Sequence, residues 1–137
     1  MAFSYDEMKV GMAEQMTKTV TEADVILFAG ITGDFNQAHV DDTYAKKSRF
    51  KERIAHGILS AGFISAVLGT KLPGSGAIYL SQSLQFKRPV LIGDTITARV
   101  EIIEKIDEKN HIRLKTECFN QNQEIVTAGE ALLMYKD

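Results

Sequence analysis

Polar side chains that interrupt an apolar background are the first to ask for chemistry, and they fall in two places. The stretch Gly33-Asp34-Phe35-Asn36-Gln37-Ala38-His39 offers a carboxylate, an amide and an imidazole together. An Asp and a His at this spacing on a loop can turn into one cavity and hold a water between a base and an acid. A plainer reading leaves Asp34 closing the preceding helix and His39 half exposed, and Asp-x4-His taken singly does not decide between them. The second place is the apolar run from Ile54 to Thr70, headed by His56-Gly57 and interrupted by Ser60 and Ser65. A helix N-terminus presents unpaired, partly positive N–H groups, and glycine lets a ligand oxygen approach closely. Gly57 therefore suits an oxyanion site; alternatively it only permits tight packing, with His56 bonded to a carbonyl. Ser65 reads more readily as a buried hydroxyl bonded back to its own helix than as a nucleophile. At the end of a later strand, Lys87 and Arg88 either meet a phosphate or are simply solvated.

Other chemistries drop out. His39, His56 and His111 show no metal-ligand spacing, Cys118 is the only cysteine, and neither a Walker loop nor a dinucleotide fingerprint is present. No metal and no redox cofactor is expected. A chain of 137 residues, 45% apolar and 25% charged, can bury one core, so a single domain over residues 1–137 is expected. A net charge of −2 gives no reason to expect nucleic acid or an anionic lipid surface as the main partner. No run approaches the roughly 20 apolar residues that span a bilayer. The start, Met1-Ala2-Phe3-Ser4-Tyr5-Asp6-Glu7, lacks the features of a secretory or transit segment, so the expected location is the cytoplasm.

The elements that must carry these residues follow from periodicity. Thr21-Glu22-Ala23-Asp24 has the form of a capping box, so a helix should begin there, carry Val25, Leu27, Phe28 and Ile31 on its apolar side, and stop near Gly33. Gly33 to His39 reads as polar loop, and Asp42 or Thr43 caps a short helix through Lys47. The run to Thr70 contains no acid, Lys or Arg; it predicts a helix of about 14 residues, buried on nearly every side, with Gly57, Gly62 and Gly69 where other backbone comes close. Period two then takes over. Ile78, Leu80, Leu84 and Phe86 share one side of a strand, Ile96 to Ile102 alternate in another, Ile112 and Leu114 open a third, and Glu124 to Tyr135 forms a fourth. Short turns between them predict antiparallel pairing. The fold class is α+β: an antiparallel sheet curved around a long central buried helix, with too few strands to cover every side, so a second copy should complete the enclosure.

Taken together, Gly33-Asp34-Phe35-Asn36-Gln37-Ala38-His39-Val40-Asp41, Phe50 and Ile54-Ala55-His56-Gly57 resemble the MaoC-type (R)-specific enoyl-CoA hydratases. The likeness continues through Leu72-Pro73-Gly74-Ser75-Gly76, Tyr79-Leu80, Ser83-Leu84, Phe86-Lys87, Pro89-Val90 and Gly93-Asp94. One departure is visible: the family commonly has Asn-Pro-Leu-His or Asn-Pro-Ile-His where this chain has Asn36-Gln37-Ala38-His39, which puts loop rigidity in question. The resemblance implies a hot-dog fold, a homodimer joined edge to edge or a higher oligomer, and an acyl-CoA substrate. It implies syn addition of water to a trans-2-enoyl-CoA to give the (R)-3-hydroxyacyl-CoA, or the reverse, without a cofactor. By position, Asp34 and His39 would be the catalytic dyad, Gly57 the N–H donor to the thioester oxygen, and Ser65 a supporting hydrogen-bond residue. Asn36 would shape the loop or orient water. His56, Lys87 and Arg88 would face substrate, with Phe63 and Leu80, beside Phe28 and Ile64, as candidates for the acyl tunnel. An acyl-CoA thioesterase on the same fold and a non-catalytic acyl-thioester binder are the alternatives.

Overall fold

A computed structural model of the protein describes residues 2–135. In chain order the elements are β1 (Ala13–Thr19), α1 (Glu22–Thr32), α2 (Gln37–Val40), α3 (Asp42–Lys47), α4 (Gly57–Thr70), β2 (Ala77–Gln82), β3 (Gln85–Phe86), β4 (Thr95–Ile106), β5 (His111–Phe119) and β6 (Ile125–Tyr135). All pairings are antiparallel, and the sheet runs β1-β4-β5-β6-β2, with β3 also on β6. The helix α4 packs against β1, β4, β5 and β6. This is the α+β arrangement expected from the sequence, a sheet wrapped on a central helix.

Alternation builds the core. Ile96, Ala98, Val100 and Ile102 of β4 point inward and are buried, while Thr95 and Thr97 turn out and bond to Thr19 and Thr17 of β1 at 2.8 and 2.9 Å. Ile64, Val67 and Leu68 of α4 meet this face together with Ile112 and Leu114 of β5 and Val126 and Leu133 of β6. The capping box at the start of α1 is present. Asp24 N–H donates to Thr21 Oγ1 at 3.1 Å, and Thr21 N–H donates to Asp24 Oδ2 at 2.9 Å. Gly33 ends α1 at φ 82, a left-handed conformation that glycine adopts without steric cost.

The sheet leaves one side of the central helix open, as the small number of strands implied: Ile58 is 49% exposed, and Gly62, Ser65 and Gly69 share that face. Several other expectations change. Gly62 and Gly69 have nothing within 4 Å of where a Cβ would sit, so they are not points of backbone contact. The predicted strand from Ile78 to Phe86 is broken into β2 and β3, because the Ser83 carbonyl crosses over Gly129 where any Cβ would collide with it. Finally, Ala13–Thr19 is a full strand, and β2 lies beside β6 rather than beside β4, so only β4, β5 and β6 form a meander. The polar loop also hides a helical turn, α2, and the cap of α3 is Asp41, one residue earlier than expected.

Candidate active site

The loop that follows α1 is folded by its own polar side chains. Asn36 N–H donates to Asp34 Oδ1 at 3.2 Å, and Asn36 Oδ1 caps α2 by accepting from Ala38 N–H at 3.0 Å. This turn swings His39 back toward the head of α4. Without the family's proline, the loop is held instead by Ile54 N–H donating to Ala38 O at 3.1 Å and by Arg53, whose Nε donates to His39 O at 2.7 Å. Arg53 is 9% exposed and also grips Glu22 of α1 at 2.6 Å, so one guanidinium ties the loop to two other elements. The sequence reading passed over Arg53; its only signal is its place as the last charge of Arg49-Phe50-Lys51-Glu52-Arg53, at the edge of an uncharged run.

Asp34, His39 and His56 each place a ligand-type atom within 4.8 Å of the others. The carboxylate and the imidazole that the sequence singled out are therefore neighbours, at a separation one water can bridge. Hydrogen bonding assigns the tautomers, since a carbonyl only accepts. His39 Nδ1–H donates to Ile54 O at 2.7 Å, which leaves Nε2 of the neutral ring with a free lone pair. His56 Nε2–H donates to the backbone carbonyl of Asp34 at 2.9 Å. The two imidazoles stack at 3.9 Å with 29° between planes, and Phe28 lies 4.7 Å from His56 on a tilted approach.

His56, expected to face substrate, is 2% exposed and holds the Asp34 carbonyl. Gly57 opens α4 and lines, with His39, Phe86, Lys87, Arg88 and Thr127, a cavity of about 330 Å³. The Phe86 ring lies 3.0 Å from where a Cβ on Gly57 would sit, so a larger residue there would press on this ring. Behind it, Ser60 Oγ donates to Gly57 O at 2.7 Å and shares a 2.8 Å bond with Thr127 Oγ1. With the serine hydrogen committed to the carbonyl, Thr127 is the donor in that pair. Thr127 is a second residue the sequence reading missed, a hydroxyl set within an apolar strand.

Ser65, expected as a buried supporting hydroxyl, lies on the open face of α4. Phe63 packs against the core, and Leu80 is 43% exposed on β2; neither lines the cavity that holds His39 and Gly57. Asp34 is exposed and reaches the cluster from the loop side.

The profile of the family described as "MaoC like domain" matches residues 7–122. The chain belongs to the MaoC-like dehydratase domain family. An (R)-specific enoyl-CoA hydratase from Rhodospirillum rubrum is 51% identical over 95% of this MaoC-like chain and 90% of its own length. A 3-hydroxybutyryl-CoA dehydratase from Methylorubrum extorquens is 46% identical over 94% and 82%. Among solved structures, the unliganded R-hydratase PhaJ1 from Pseudomonas aeruginosa superposes with a TM-score of 0.94 at 46% identity, covering 98% of this chain and 86% of that one. The MaoC-like fold and the hot-dog architecture are thereby the same finding seen from sequence and from shape.

Proposed function

We propose that this MaoC-like protein is an (R)-specific enoyl-CoA hydratase, a hydro-lyase that also runs in reverse as a 3-hydroxyacyl-CoA dehydratase. The observation that carries the reading is the convergence of Asp34 and His39 within 4.8 Å while His39 shares a cavity with the head of α4. The named activities of its relatives support it. Water held by the Asp34 carboxylate and His39 Nε2 attacks C3 of the trans-2-enoyl thioester. The new C–O bond pushes the C2=C3 electron pair toward the thioester oxygen. That oxygen gains negative charge only in the transition state, where the Gly57 N–H meets it. The dyad takes one proton from water and returns one to C2 on the same face as the enolate collapses, giving syn addition and the (R)-3-hydroxyacyl-CoA. Water, a shared proton and an amide suffice, so the reaction draws on no metal or redox cofactor.

The working unit in this reading is a homodimer in the cytoplasm. Supporting it are the free edge of β2, with Ile78 and Leu80 each more than 40% exposed, and the uncharged open face of α4. Among the described residues no helix is long and apolar enough to cross a membrane, and the single cysteine fits a reducing compartment.

The test is optical. Crotonyl-CoA should lose its conjugated-enone absorbance with the wild-type protein, at a rate that falls at least about a hundredfold in Asp34→Asn. Release of free thiol would assign a thioesterase instead, and tight binding with no turnover on short or long enoyl chains would assign a sensor; either result overturns the proposal.

A further inference from the structure

Arg53 does not line the cavity that holds His39 and Gly57, yet its side chain is buried against the loop that carries the dyad. Nε–H donates to the His39 carbonyl at 2.7 Å, while Nη1 meets Glu22 of α1 at 2.6 Å and Asp42 of α3 at 3.7 Å. Glu22 opens α1, and that helix ends at Thr32, just before Asp34. The contacts therefore close a ring. It runs from Asp34 back along α1 to Glu22, across Arg53 to His39, and through residues 35–38 to Asp34 again. The next residue completes the grip: Ile54 O accepts from His39 Nδ1–H at 2.7 Å, and Ile54 N–H donates to Ala38 O at 3.1 Å. Stability alone does not account for this arginine. Glu22 and Asp42 are mostly exposed, where an ion pair adds little. Among the described residues Arg53 Nη2 is buried with no hydrogen-bond partner, which costs folding free energy. What the planar fork supplies is geometry, since it fixes its acceptors relative to one another.

We propose that Arg53 is a positioning residue for the hydration: by tying the His39 backbone to the start of α1, it holds the imidazole at the distance from Asp34 at which both share one water. The inference rests on the hydratase reading and names a residue outside the cavity on which the rate of that reaction depends. A misplacement of about 1 Å passed on from outside the chemistry can cost about a hundredfold in rate. Arg53 makes no contact with the cavity, so its loss falls on kcat and not on binding of the thioester.

Kinetics and nuclear magnetic resonance test this together. Arg53→Met keeps an apolar stem and removes the fork. Assayed on crotonyl-CoA well below its own melting midpoint, so that every molecule is folded, it should lose at least about tenfold in kcat with KM within about twofold of wild type. A second substitution should restore the rate without the arginine. Gln37 is the first residue of α2, and Asn36 before it lies at φ −53 and ψ 131, so proline at 37 suits both the helix start and the residue preceding it. By stiffening the loop on its own, Gln37→Pro in the Arg53→Met background should return most of the lost kcat. The readout independent of activity is the His39 Nδ1–H proton in nitrogen-edited spectra. It should exchange slowly with water in the wild type, broaden in Arg53→Met and sharpen again with the proline. Glu22→Ala, at a mostly exposed position, frees Nη1 and should lower kcat several-fold with the same broadening; it carries the test if Arg53→Met does not fold. An unchanged kcat, or a fall in kcat with the His39 proton unaltered, overturns the positioning role while leaving hydration standing. If no thioester reacts yet the His39 proton responds to Arg53 and to the proline, hydration fails and the hold on His39 survives.

Discussion

At the residue scale, the protein turns ordinary side chains into a site by committing one end of each. His39 spends Nδ1–H on the Ile54 carbonyl and keeps Nε2 free, while His56, similar in type, is spent on the Asp34 carbonyl and stacks behind. The spacing of Asp34 and His39 was visible in the sequence, but the division of labour between two histidines was not, because it depends on which carbonyl each ring meets. Ser60 and Ser65 make the same point: one is buried on Gly57 and Thr127, the other stands in the open, five positions along one helix. Thr127→Val should remove the donor that holds Ser60 and loosen the first turn of α4. We expect kcat to fall several-fold with KM little changed, about 1–3 kcal/mol of stability to be lost, and Thr127→Ser to restore both. Cys118 is fully buried, and burial pushes its thiol up to about 12. It should resist alkylation at pH 8 until the protein is unfolded, as mass spectrometry after timed iodoacetamide treatment would show, and so would not disturb a thiol-release assay.

At the scale of elements, caps and one close crossing do most of the positioning. The start of α1 and the site at its far end are linked through one rigid helix, so the Thr21 and Asp24 cap also sets where Asp34 begins. Burial alone would raise the Asp24 carboxyl, but the Lys18 ammonium at 2.6 Å and the Thr21 backbone and hydroxyl bring it below the usual range. A carboxyl depressed in the folded state stabilises above its unfolded value, about 3.9, and loses that contribution as pH falls through the lower folded value. In acid unfolding followed by circular dichroism, Asp24→Asn should be less stable at pH 7 and should show a shallower loss of stability below about pH 4. The cap was readable because it is local. The split between β2 and β3 was not, since the Ser83 carbonyl meets Gly129 only once the sheet is assembled.

At the scale of the whole molecule, the sheet covers one side of α4 and leaves the other bare. Gly62 lies on that bare face with open space above it, so a glutamate there fits the single chain and improves on glycine in helix propensity by several tenths of a kcal/mol. The same charge would be driven into any partner laid on the face. Gly62→Glu should therefore sediment at half the wild-type mass without loss of helical signal; an unchanged mass would place the contact elsewhere. The chain by itself determined the long helix and the main strands, the antiparallel sheet, the family and the closeness in sequence of Asp34 and His39, because these are written in local periodicity, caps and short spacings. Only the tertiary structure decided which strand borders β6, which serine is buried, which histidine keeps a free nitrogen, and that Arg49 and Arg88 line the same cavity. Each of those is a meeting of residues far apart in the chain, and its energy appears only when folding brings them together.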